Sequence, residues 1–125
     1  MKILLLALIL LLFATPATAT ERYMATGSGA INESVTFRTE NVVVIAVTLG
    51  LDTACATSEN LVISNGFNGA LYYDADFDTQ VSLVWLPYHA PILNKDDNTE
   101  TLDITFANSD ANTWILLVEY NVVGR

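Results

Sequence analysis

The segment LYYDADFDTQVSLVWLP, residues 71–87, carries aspartates at alternate positions: Asp74, Asp76 and Asp78. Alternate aspartates in a curved loop can offer three oxygen ligands from one side, and calcium takes about six to eight. Calcium is therefore the cofactor this spacing admits, with Asp96, Asp97 or Asp110 arriving from other loops to complete the shell. A helix–loop–helix site is excluded: Thr79 stands where that loop needs glycine, and Trp85 where it needs a bidentate glutamate. The competing reading is that the three carboxylates form the wet side of a turn.

Other chemistries find less support. His89 is the one histidine, set between prolines in PYHAP, and zinc ligation would need companions that the chain lacks. No serine sits in a nucleophile elbow. Cys55 is the one cysteine, so no internal disulfide can form; with no activating neighbour it reads as a small residue of loop or core. These features point to a protein that is not an enzyme. Tyr73 and Tyr88 flank two predicted loops and are the rings best placed to make a glycan platform. Trp85 and Trp114 lie within apolar strands and read as core.

The elements that position these residues follow an N-terminal leader. Residues 1–19 have one cation at Lys2, an apolar run from Ile3 to Phe13 and a small-residue tail with Ala17 and Ala19, the layout of a secretory signal peptide cleaved after Ala19. The run is shorter than the roughly 20 residues that span a bilayer, so no membrane association is expected after cleavage. Residues 20–125 then form one domain, exported to the cell surface or the extracellular space. The chain's net charge of −9 argues against nucleic acid, whose phosphates it would repel.

Short β-branched and aromatic runs separated by Asn, Asp, Gly and Ser clusters, with no stretch at helical spacing, predict an all-β fold. Strands are expected over 34–38, 41–51, 60–64, 70–73, 80–86, 101–107 and 113–121. Seven to eight strands suit two packed antiparallel sheets, a jelly-roll-like or Ig-like β-sandwich. In TLDITFAN, Leu102, Ile104 and Phe106 share one face, while Thr101, Asp103 and Thr105 share the other. SNGFNG reads as a tight turn, and LPYHAPILNKDDNTET as a longer connection between sheets.

The run Trp114, Ile115, Leu116, Leu117, Val118 is apolar at consecutive positions, so both of its faces carry apolar groups. Two readings follow. The strand is central and buried, or it is an assembly edge that docks on a protein partner or a second copy.

The motifs INESVTF, ATSENLVIS leading to GALYYD, and LDITFANSDANTWILLVEY give residues 31–120 a resemblance to small all-β proteins encoded among the structural genes of tailed bacteriophages. The resemblance implies a compact sandwich on or near a virion, with no catalytic residues to carry over. With the leader it points to an exported relative at a cell surface or in an extracellular filament. The expected function is structural, through protein–protein contacts, with a secreted glycan-binding module, calcium-assisted or not, as the alternative.

Overall fold

The computed structural model describes residues 20–37, 41–88, 91–93 and 100–123; the expected leader over residues 1–19, together with His89, Asp96 and Asp97, lies outside them. Nine strands and no helix occur among the described residues: β1 (Glu21–Ser28), β2 (Ile31–Thr36), β3 (Val42–Leu51), β4 (Asn60–Asn65), β5 (Leu71–Asp76), β6 (Ser82–Trp85), β7 (Ile92–Leu93), β8 (Thr101–Phe106) and β9 (Thr113–Val122). One sheet runs β1-β9-β3-β6, with the short β7 also paired to β3, and the other runs β2-β8-β4-β5. All pairs are antiparallel. Strands from distant parts of the chain interleave in both sheets, and this double Greek key is the order of a jelly roll. The expected sandwich is therefore present, in its jelly-roll form.

Period-two patterning explains the layering. Leu61 and Ile63 on β4, Leu102, Ile104 and Phe106 on β8, and Trp114, Leu116 and Val118 on β9 all point inward and are buried. β3 departs from strict alternation because a bulge between Val44 and Ala46 inserts Ile45, so Val42, Val44, Val47 and Leu49 all reach the core. The SNGFNG turn closes the β4–β5 hairpin, where the Asn65 side-chain oxygen accepts the Phe67 amide at 2.8 Å.

The turn from Asn108 to Asn112 joins β8 in one sheet to β9 in the other. Asn108 is buried with a φ of 47°, a left-handed conformation that asparagine tolerates better than most residues. Its amide nitrogen donates to the Gly29 carbonyl at 2.6 Å and to the Asn112 carbonyl at 2.8 Å. The Trp114 indole N–H donates to the same Gly29 oxygen at 3.1 Å, which ties this turn to the β1–β2 turn.

The assembly-edge reading of residues 114–118 is corrected by the sheet order. β9 is paired along its length on one side by β1 and on the other by β3, so its backbone groups are already engaged. The first strand, ERYMATGS, occupies the edge that sequence patterning left open.

Candidate functional site

The two outer faces of the sandwich differ in character. On the β2-β8-β4-β5 sheet most outward residues are polar, and several are bonded to one another. Ser34 donates to Asp103 at 2.7 Å, Thr101 donates to Asp103 at 2.6 Å, and the Asn60 amide donates to Asp74 at 2.7 Å. Apolar side chains interrupt this network at Val62, opposite Asp74, and at the exposed Leu71, opposite Ser64.

The outer side of the β1-β9-β3-β6 sheet sets exposed apolar side chains among small polar ones, Thr26, Thr48, Ser82 and Thr113. Met24 stands opposite Leu117, Leu117 opposite Thr48, and Thr48 opposite Val84, so one transverse row crosses all four strands. Met24 and Val84 are 68% and 60% exposed, and Ile115 in the next row is 55% exposed, far above the usual state of such side chains. Ile92 on β7, paired with Val43, extends the apolar surface. The charges that the strands of this face turn outward are Arg22 and Glu119, which stand opposite each other and form an ion pair at 3.4 Å; Asp52, directly after β3, accepts the Thr113 amide at 3.0 Å at the end of the face. Thus Ile115 and Leu117, from the run expected to be adhesive, do face outward, while Trp114, Leu116 and Val118 are core.

A second feature lies where β5 and β6, the edge strands of the two sheets, run beside each other. Tyr72, Tyr73, Trp85, Leu86, Pro87 and Tyr88 line an open concavity of about 560 Å³. Tyr72 and Trp85 are nearly parallel, with ring centroids 6.5 Å apart, and Tyr73 is tilted against Trp85 at 6.3 Å. The structure brings Tyr73 and Tyr88 to one groove. It also places there two rings that sequence reasoning passed over, Tyr72 and Trp85; Trp85 is half-buried, in contrast to the buried Trp114. The available signal was Pro87: proline two residues after an inward tryptophan marks an edge strand, where an inward ring is covered on one side only.

Two of the three aspartate carboxylates have other partners, Asn60 for Asp74 and Ser58 for Asp76. Asp74 and Asp76 lie on the outer side of β5, opposite Val62 and Asn60. Asp76 accepts from the Ser58 hydroxyl and from the Asp78 amide at 2.9 Å, an Asx-type turn that starts the loop leading into Thr79. Among the described residues no group of three His, Cys, Asp or Glu side chains is arranged to hold a metal ion. The run is anchored from its other side, since Phe77 within it is fully buried and packs edge-on against Phe106 at 5.4 Å.

Carboxylates serve as loop fasteners at this end of the sandwich. Asp110 accepts from the Ala56 and Thr57 amides at 2.8 and 3.0 Å and from the Thr57 hydroxyl at 2.9 Å. Glu59 accepts from the amide and hydroxyl of Ser109. Cys55 lies buried beneath, and burial, reinforced by the Asp110 and Glu59 charges, pushes its thiol pKa up, away from thiolate chemistry.

Hydrogen bonds to Thr57 and Ala56 hold the Asp110 carboxyl below its ordinary range, and those from Ser58 and Asp78 do the same for Asp76. A depressed folded-state pKa stabilises the fold above the unfolded carboxylate range, and that stabilisation is lost as pH falls through the folded value. The melting temperature is therefore expected to decline on acidification below about pH 4. Asp110→Asn, measured by thermal unfolding across that range, should lower it at neutral pH and flatten the acid limb.

No protein-family model matches the sequence, and no characterised protein matches it at the sequence level. Among solved structures it is similar to a chain of the virus-like particle of the giant freshwater prawn Macrobrachium rosenbergii extra small virus, with 14% identity and a TM-score of 0.36, over 86% of this chain and 84% of that one. It is similar also to a chain of the T13 viral particle of infectious bursal disease virus (13% identity, TM-score 0.38, 82% of this chain and 35% of that one). A third likeness is to the Gx strain of the same virus (12% identity, TM-score 0.35, 87% and 32%), so this chain spans about a third of the bursal disease virus chains.

Proposed function

We propose that this protein is a non-enzymatic, exported or virion-associated jelly-roll protein that works by protein–protein contact. The supporting observation is the outer face of the β1-β9-β3-β6 sheet, where Met24, Ile115, Val84 and Ile92 are exposed and Leu117 is half-buried on a chain of net charge −9. Exposed apolar surface of this kind is costly to keep and marks an interaction site. The tailed-phage resemblance of residues 31–120 adds a virion or surface assembly as the setting. Sedimentation of the purified protein over a concentration series, with native mass spectrometry of complexes formed in the cells that produce it, tests the reading. A complex of defined mass in either measurement supports it; a monomer in both rejects it.

The groove between β5 and β6 favours a second reading, a glycan-binding module in which flat rings stack on sugar faces. Tyr88 is 94% exposed at its rim. A glycan array with Tyr73→Ala and Tyr88→Ala as controls decides it, and binding that survives both substitutions excludes the groove.

A further inference from the structure

We infer that the partner of the apolar face is a second copy of this chain, packed sheet to sheet through β1, β9, β3 and β6. The inference rests on the assembly reading above and names its partner. Electrostatics supplies the first argument. A chain of net charge −9 repels its own copies, and the polar sheet turns Asp74, Asp76 and Asp103 outward. Within the strands of the apolar face the outward charges cancel as the Arg22–Glu119 pair, and the Asp52 carboxylate at its end is engaged by the Thr113 amide, so the middle of the face can meet a second copy without opposing carboxylates.

Size supplies the second. Four strands spaced about 4.8 Å apart and about eight residues long outline roughly 500 Å² per copy, so a face-to-face pair buries on the order of 1,000 Å² or more, the lower bound for a specific contact. The same patch on both copies makes a closed, two-fold arrangement rather than an open chain. Side-chain type suits it as well, because stacked sheets pack about 10 Å apart with interdigitating side chains of the Met, Ile, Leu and Val type. A lipid surface fits less well, since the described face has no cation apart from the paired Arg22 to meet headgroup phosphates.

Sedimentation equilibrium on the purified full chain tests this with Leu117→Glu on the apolar face and Thr105→Glu on the polar face. The unsubstituted protein and Thr105→Glu should dimerise alike, while Leu117→Glu should raise the dimer dissociation constant by about 100-fold or more, because it buries an unpaired charge. Circular dichroism establishes that both variants keep their strands, and Met24→Glu provides an independent substitution on the same row should Leu117→Glu fail to fold. If the unsubstituted protein is monomeric alone but forms a complex of defined mass with another protein, this inference falls and the proposed function stands. If it self-associates and neither apolar-face variant weakens that, the interface lies elsewhere and the inference falls.

Discussion

Phe77→Ala is expected to cost about 3–5 kcal/mol, the range for emptying a phenyl-sized site in a packed core. Phe77 is fully buried although it sits between Asp76 and Asp78, and its backbone N–H donates to the Glu59 carbonyl at 2.9 Å. Losing the ring removes the edge-on contact with Phe106 and leaves the loop ends over β4 and β8 without their shared filler. A domain of this size has roughly 5–15 kcal/mol in total, so the variant should lose a large share of it and melt about 15 °C lower or more. Asp78→Ala, one residue away, should stay within about 0.5 kcal/mol, as surface substitutions do. Thermal and denaturant unfolding of the two variants side by side checks both numbers. Equal effects would mean that the segment is not held by its ring.

Asn108→Ala is the second large effect, with an expected loss of about 2–4 kcal/mol from two sources. One is conformational: alanine at a φ of 47° carries left-handed strain that asparagine bears more easily. The other is the loss of buried hydrogen bonds, which leaves the Asn112 carbonyl without the side-chain donor at 2.8 Å and the Asn112 amide without its side-chain acceptor at 3.2 Å. Asn108→Gly separates the two, since glycine accepts the backbone angle but makes none of the bonds; it should recover roughly 1 kcal/mol relative to alanine. Asn108→Asp should fall below both, because it aims a carboxylate at the Gly29 and Asn112 carbonyl oxygens that the amide now serves. Chemical denaturation of the three variants measures the order, and a glycine variant no better than alanine would remove the backbone contribution.

Much of the sandwich was legible because burial repeats every second residue. TLDITF, NLVISN and the β3 run could be assigned to strands from side-chain type alone, and the inward side of TLDITF chosen from its alternation; the β3 run, apolar at consecutive positions, gave no such choice. β1 was not legible, and the reason is steric. Its inward positions are Glu21, Tyr23, Ala25 and Gly27, small or polar for the most part, because Trp114 fills the space beside it. A Cβ at Gly27 would lie 2.6 Å from the Trp114 ring, so the bulk needed there is carried by the neighbouring strand. β7, two residues long in a proline-bounded connection, has no pattern of its own to read.

The sites divide the same way. Alternation shows which face of a strand is apolar, but it is silent on which strands lie alongside, so 114–118 could be read as an edge when β1 and β3 flank it. The groove escaped for a related reason: Tyr72 and Trp85 belong to different sheets, and only the arrangement of β5 beside β6 joins them. For the aspartates, spacing alone could not separate ion binding from turn making, and the partners Asn60 and Ser58 come from a different stretch of chain.

The pairing of β1 with β9 sets Glu21 beside Tyr120, so the opening and closing segments of the described chain form a single ladder. Such a ladder closes a loop of nearly all the described residues, and the cost of that closure comes before the contacts that offset it, which slows folding. A chain in which β1 is unpaired would leave the flank of β9 bare, the kind of open strand edge to which a neighbouring molecule's strand can add.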